Sequence, residues 1–305
     1  MVDNLDRITA KFAAIGLGWY GKNEFNNTIY NHYSFNEETR KLLGRIERDS
    51  GLPCRDLMSM RVLKNNGFSN ILMTGCPAWY NLDTINSSEL RNGINMPFKK
   101  ICISDPANIN NIEQAYTIVK YIKDKYPTAQ IYFVFHRGIN KDELTDEYTA
   151  DQYGMLSSRL NAIGVESRDI SYSRDGFDIY NDCDLHIGFR VHAHIYNLSM
   201  RNISILIEED GRGAGVNEAL GLFRIPVYRD LGIIPQYTNR FMDKAIRKAA
   251  RTLYGSENIN PYLIQCVDDY LYILESNRYL IMNNAFKIQQ EYFKEMINHI
   301  KNFLN

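Results

Sequence analysis

The sequence predicts an α/β protein whose parallel sheets are covered by helices, and three observations carry that prediction. Short apolar runs ending in glycine or polar turns alternate with segments of helical period through most of the 305 residues, the pattern of parallel strands joined by crossover helices. "KKICISD" (99–105) and "QIYFVFH" (130–136) flank a segment whose Ile112, Ala115, Tyr116, Val119 and Ile122 share one helical face. With Pro127 after that helix, the three pieces make one βαβ unit. The third signal is a C-terminal stripe of Met282, Phe286, Phe293, Ile297, Ile300 and Leu304, which predicts a long helix able to return across another domain.

Taken in order, the expected strands are 12–18, 70–75, 99–105, 130–136, 184–189 and 202–209. Arg55 and Asp56 open a short predicted helix in "GLPCRDLMSMRVLKNNG", with Asp56 suited to cap it and Gly67 to end it. The polar stretch "NSSELRNGINMPFKK" (86–100), with Gly93 and Pro97, marks a break. It divides the chain into 1–97, an N-terminal α/β domain, 98–270, a second such domain, and 271–305, a helix packing back on the first. No repeat or low-complexity tract interrupts this scheme.

Composition narrows the partners. With 45% apolar and 23% charged residues the chain has a globular profile, and a formal net charge of −1 gives no general attraction to nucleic acid or to an anionic surface. Any bound anion must therefore be held by a local cluster. No segment approaches the roughly 20 apolar residues of a membrane span, so at most peripheral membrane contact is expected. The opening "MVDNLDRITAKFAAIGLGWYGKN" has no basic leader and is not expected to be a signal peptide. The five cysteines are widely spaced with no CxxC pair, as expected of reduced thiols in a cytoplasmic protein.

In open parallel sheets, ligands bind beyond the carboxyl ends of the strands. Asp105 follows the strand at 99–105, and His136 and Arg137 follow 130–136. Arg190, His192 and His194 follow 184–189, while Glu208, Glu209, Asp210 and Arg212 follow 202–209. "GRGAG", with Gly211, Gly213 and Gly215, reads as a glycine-rich turn opening a helix, where backbone N–H groups can meet a phosphate. Among the six histidines, His186 is expected in the core, His194 is equally suited to core or site, and His32 and His299 to surface or packing. His192 and His194 lack a third ligand, so no metal site is expected. For Arg190 the competing account is an ion pair with Asp184 or Glu208.

Two segments carry a family resemblance. "CRDLMSMRVLKNNGFSNILMTGCPAWY" (54–80) and "CDLHIGFRVHAHIYNLSMRNISILIEEDGRGAGVNEALGL" (183–222) resemble, in order and separation, two segments of the polysaccharide pyruvyl transferases. The resemblance spans roughly residues 45 to 305 and implies a GT-B-like architecture of two Rossmann-like domains, 1–97 on the acceptor side and 98–270 on the donor side, with a long C-terminal helix. The chain departs from the family in having "IGLGWYGKN" where an N-x-G-D turn is common, which permits another substrate. It also has "EEDGRGAG" where D-x-K is common, with Arg212 in the lysine's role.

The resemblance implies transfer of the carboxyvinyl unit of phosphoenolpyruvate to two hydroxyls of a glycan or lipid-linked sugar, as in bacterial surface polysaccharide synthesis. Phosphoenolpyruvate is then a substrate, and no cofactor is required. Such chemistry needs cations for a phosphate and a carboxylate, an acid for the methylene carbon and a base for a sugar hydroxyl. Arg190 and Arg212 suit the oxyanions. His192 is the preferred acid/base, and Glu209 or Asp210 would orient it or act beside it. His136, Arg137, Arg55, Asp56 and His194 complete the candidate substrate contacts. Competing functions are a GT-B glycosyltransferase using a nucleotide sugar and a non-catalytic anion- or sugar-binding module; a homo-oligomer is compatible with each.

Overall fold

The computed structural model describes residues 9–21, 29–91, 93, 96–143, 145–232, 240–254 and 259–305. The opening segment 1–8, and Asn92, Ile94 and Asn95 of the expected break, lie outside the described residues. A small parallel unit comes first. Helix α1 (Glu37–Asp49) begins where the Asn36 side chain accepts the Thr39 N–H at 2.8 Å, and its Leu43 and Ile46 pack on strand β1 (Leu52–Cys54). Helix α2 (Leu57–Asn65) makes the crossover to β2 (Ile71–Met73), which pairs in parallel with β1. Asp56 caps α2, accepting the Ser59 N–H at 2.7 Å, and Gly67 follows its end at φ +88°.

The expected strand at 12–18 is not one. Only Leu17 makes a parallel bridge, to Cys54. Gly16 just before it sits at φ +63°, a left-handed turn that breaks the extended path.

The larger sheet alternates strand and helix as β3 (Lys100–Ser104), α3 (Ile112–Lys125), β4 (Gln130–Phe135), α4 (Glu147–Ala162), β5 (Glu166–Asp169), β6 (Leu185–Gly188), α5 (Val191–Ser199), β7 (Ile203–Glu208), α6 (Gly211–Ala219) and β8 (Ile225–Pro226). Its order is β5-β4-β3-β6-β7-β8 with every pair parallel, the doubly wound order of Rossmann-like sheets, which reverses between β3 and β6. Strands β6 and β7 are buried along their whole length, as parallel strands covered on both faces must be. Helix α3 buries Ile112, Ala115, Ile118, Val119 and Ile122 against the sheet. Each large aliphatic among them contributes about 1.5–3 kcal/mol relative to exposure.

Helices α7 (Arg240–Tyr254), α8 (Leu263–Ser276) and α9 (Leu280–Leu304) follow. Helix α9 buries Met282, Ala285, Phe286, Gln289, Met296 and His299. It returns to the N-terminal residues, with Tyr292 6.4 Å from Trp79, Phe293 5.1 Å from Tyr80 and His299 Nε2 3.1 Å from the Ala14 carbonyl. The stripe read from the sequence runs too far, since Leu304 is 75% exposed where the last turn overhangs the surface α9 covers. Two parallel α/β units closed by this helix make a GT-B-like fold. Among the described residues no helix is long and apolar enough to cross a membrane.

Candidate active site

The reversal of strand order sets the carboxyl ends of β3 and β6 side by side, Ser104 in register with Gly188, and opens a crevice above them. Arg190 leaves β6 and Asp105 leaves β3 at that point. The Arg190 backbone N–H donates to Ser104 Oγ at 3.2 Å, while its guanidinium grips Asp105 through Nε at 2.6 Å and Nη2 at 2.5 Å and reaches the Pro106 carbonyl at 3.2 Å. Asp105 is fully buried and Arg190 9% exposed. Burial opposes the charge, yet Asp105 holds the guanidinium pKa above its usual value. The sequence alternatives for its partner are therefore corrected: Asp184 accepts the Lys99 and Lys100 N–H groups, and Glu208 accepts from Arg224 and Asn217. Arg190 is also less free for a ligand than expected, with only Nη1 outside these bonds.

Around this pair lies a cavity of about 470 Å³ lined from the ends of β3 through β7. His192, the second residue of α5, is exposed on its wall. Partial burial first, then the charges of Arg212, Arg190 and Arg55, hold its pKa below the usual value, so the ring is neutral at pH 7. Neither expected carboxylate orients it. Glu209 instead accepts the Ala107 N–H at 2.7 Å, the Asn108 N–H at 3.1 Å and the Asn111 amide at 2.6 Å, fixing the turn after β3. Burial still raises its pKa to about 7, and it lines the cavity. Asp210 caps α6 by accepting the Arg212 N–H at 2.9 Å, and it pairs with Arg212 Nη2 at 2.7 Å. The Arg212 guanidinium lies 4.6 Å from the centre of the Tyr20 ring, which carries the N-terminal unit to the cavity mouth.

His136 lines the cavity as a neutral wall. Its Nε2 is 2.8 Å from the Tyr180 hydroxyl, and burial pushes its pKa down to about 4. Arg137 is exposed beside it. The residues that sequence reading missed come from the end of β5: Tyr172, Ser173 and Arg174 line the cavity, with Phe177 beyond. Recognising "ESRD" as a strand would have drawn them in by the same rim rule.

Several candidates lie elsewhere. Gly211, Gly213 and Gly215 do not form a phosphate loop; they are buried within α6, where a Cβ on Gly211 would stand 2.6 Å from the Trp19 ring and one on Gly215 2.6 Å from Asp56 Oδ1. The first N–H groups of α6 are also engaged, Gly211 with the Gly21 carbonyl at 2.8 Å and Arg212 with Asp210. His194 is fully buried, its Nδ1 2.7 Å from Ser204 Oγ, and belongs to the core. His186 joins it there, bonded to Ser204 and Ser104. Asp56 is fully buried as the cap of α2, and Arg55 donates to it at 3.1 Å. Arg55 acts on the cavity only through its charge near His192. Among the described residues no His, Cys, Asp and Glu cluster of metal-binding size occurs.

A second cleft of about 360 Å³ opens on the N-terminal unit, lined by Trp19, Tyr20, Tyr33 and Phe35, so Tyr20 stands between the two. Arg137, Arg174, Arg190 and Arg212 thus line one crevice at the switch point of a doubly wound sheet, the place where open α/β sheets bind ligands. The family model of polysaccharide pyruvyl transferase matches residues 4–201, and the chain belongs to that transferase family. No curated protein matches it. Among solved structures, S. aureus TarM in complex with fondaparinux, alpha-GlcNAc-glycerol and UDP is similar at 8% identity and a TM-score of 0.46, covering 96% of this chain and 50% of its own. S. aureus MnaA with UDP is similar at 15% identity and a TM-score of 0.45, covering 89% of this chain and 64% of its own. This chain thus spans half of the first and under two thirds of the second.

Proposed function

We propose that this protein transfers the carboxyvinyl unit of phosphoenolpyruvate onto two hydroxyls of a glycan, forming a pyruvate ketal and releasing phosphate. The observation that carries this reading is the cavity wall: Arg137, Arg174, Arg190 and Arg212 surround one space with a neutral histidine and a carboxyl whose pKa is about 7. A donor bearing both a phosphate and a carboxylate matches such a wall, because guanidinium forks bind each oxyanion with paired hydrogen bonds.

The residues divide the work as follows. Arg137, Arg174 and Arg212 hold the oxyanions, and Arg190, fixed by Asp105, presents Nη1. Neutral His192 takes the proton of the first sugar hydroxyl as its oxygen bonds to the central carbon of the donor. Glu209, half protonated near neutrality, delivers a proton to the methylene carbon, which becomes the methyl group. The second hydroxyl then bonds to the same carbon, the carbon–oxygen bond to phosphate breaks, and phosphate leaves with the second hydroxyl's proton. The aromatic cleft beside Tyr20 suits the acceptor, whose sugar faces pack on rings.

The test is incubation with phosphoenolpyruvate and a panel of glycans, following phosphate release and the ketal methyl signal by NMR. Phosphate release that requires both substrates supports the reading. Turnover of a nucleotide sugar without phosphoenolpyruvate would replace it with glycosyl transfer, and ligand binding without turnover of either would leave a binding module.

A further inference from the structure

His136 lines the cavity but takes no part in the transfer set out above. Its position is nonetheless fixed at several points. The backbone N–H donates to Asp105 Oδ1 at 3.2 Å, the same oxygen that takes Arg190 Nε, so both residues hang on one buried carboxylate. The ring lies 5.4 Å edge to face from Phe177 and stacks at 6.0 Å on Tyr180. Its Nε2 is 2.8 Å from the Tyr180 hydroxyl. Tyr180 closes the short helix Asp175–Tyr180 and is fully buried, and its carbonyl accepts the Asn202 amide at 2.8 Å.

The direction of the bond between His136 and Tyr180 follows from counting protons. The imidazole is neutral, since burial first, and then Arg190 and His192 against the pull of Asp105, hold its pKa at about 4. It therefore has one N–H and one bare nitrogen, while the phenol has a single proton to donate. Among the described residues the Tyr180 hydroxyl meets no acceptor other than His136 Nε2, and its burial keeps water away. Were Nε2 protonated, the phenol proton would be buried without a partner, the costly outcome for a polar group. Tyr180 thus donates, and the imidazole proton is left on Nδ1. Among the described residues Nδ1 has no partner, and it does not belong to the buried unpartnered atoms, so it is open to the cavity.

A neutral imidazole so oriented gives a hydrogen bond to a substrate oxygen without carrying a charge of its own. We propose that Tyr180 locks His136 as a donor toward the cavity, and that its Nδ1–H binds an oxyanion of the substrate on the wall it shares with Arg137 and Arg190. His136 is then a binding residue, and Tyr180 a positioning residue that acts through it. The arrangement selects an oxygen acceptor and rejects an ammonium or amide N–H at that point, because two donors would face each other. Naming the oxyanion as part of phosphoenolpyruvate rests on the proposed transfer; the locked donor does not.

Two measurements on the full chain test this. Nitrogen-15 NMR of the imidazoles at pH 7, with the His136 signal identified by its loss in His136→Asn, should show the proton on Nδ1. In Tyr180→Phe the Nε2–H form should appear. Calorimetric titration with phosphoenolpyruvate, and in parallel with inorganic phosphate, separates the donor from a packing role. Asparagine puts its amide N–H near the place of Nδ1, whereas glutamine puts its amide group near the place of Nε2 and can keep the Tyr180 bond. His136→Gln should therefore unfold at the higher temperature of the two, yet bind the anion at least about tenfold more weakly than the parent, while His136→Asn binds within about threefold of it. A parent with its proton on Nε2 would overturn the proposal, as would a Tyr180→Phe protein whose His136 stays purely Nδ1–H. So would affinities that follow stability, with the Gln variant binding as well as the Asn variant or better, or a parent that binds neither anion. Binding in the expected order by a protein that transfers nothing from phosphoenolpyruvate would keep the donor and reject the transfer.

Discussion

Arg190 and Asp105 close a bidentate ion pair across the strand reversal, joining the end of β6 to the end of β3 at 2.6 and 2.5 Å with Asp105 fully buried. Such a pair penalises the loss of one partner more than the loss of both, because a lone buried charge has no compensation. Arg190→Ala and Asp105→Ala should each destabilise by about 3–5 kcal/mol, and the apolar double variant R190M/D105L should recover a large part of that. Urea unfolding checks both numbers. Equal midpoints for Arg190→Ala and the parent would mean that the pair does not hold the crevice.

His192 is expected to behave oppositely. It is exposed, its described surroundings give it no hydrogen bond, and it lines the cavity. His192→Ala should leave the thermal midpoint within about 1 °C and lower turnover by about 10²–10⁴-fold, the usual contribution of a positioned acid or base. The pH profile follows from the two shifts. The pKa of His192 is depressed below its usual 6.5, so the base is lost as pH falls below that value. That of Glu209 is raised to about 7, so the acid is lost as pH rises through it. Phosphate release should therefore be bell-shaped with its maximum between these limbs, and Glu209→Gln should remove the alkaline limb along with most of the rate.

Arg174 and Arg137 are exposed on the cavity wall, following the ends of the paired strands β5 and β4. A charge-assisted hydrogen bond contributes about 1.5–3 kcal/mol, so Arg174→Ala or Arg137→Ala should each raise KM for phosphoenolpyruvate by about 10- to 100-fold. Neither should alter the unfolding midpoint. Initial rates at varied phosphoenolpyruvate measure the effect, and an unchanged KM in both would place the donor elsewhere in the cavity.

How far the chain could be read follows from which signals are local. The βαβ unit at 99–136 and the buried strands β6 and β7 have apolar runs that announce them, and the rim rule then brings Arg190, His192 and Glu209 to one crevice. Strand β5 has the sequence Glu-Ser-Arg-Asp and lies at the sheet edge, where packing does not demand apolar residues, so neither it nor Arg174 was legible. The Arg190 and Asp105 contact joins residues 85 positions apart, and no local pattern encodes its geometry. The glycines of "GRGAG" misled for a different reason. Glycine permits close approach, and composition does not say whether the approaching group is a phosphate or another helix.

That ambiguity can be settled by two alanine substitutions. Gly154, within α4, has open space where a Cβ would stand, whereas a Cβ on Gly215 would meet Asp56 Oδ1 at 2.6 Å and Asp56 Cβ at 3.0 Å. Replacing a helical glycine by alanine gains about 0.5–1 kcal/mol when nothing opposes it. Gly154→Ala should therefore stabilise by that amount. In Gly215→Ala the same gain is set against overpacking of about 1–3 kcal/mol, with no slack to absorb it because Asp56 is fully buried as the cap of α2. The net expectation is a loss of about 1–2 kcal/mol by urea unfolding, with little change in KM for phosphoenolpyruvate. A Gly215→Ala protein as stable as Gly154→Ala, but with weakened donor binding, would return these glycines to the site and remove them from the packing of α6 against α2.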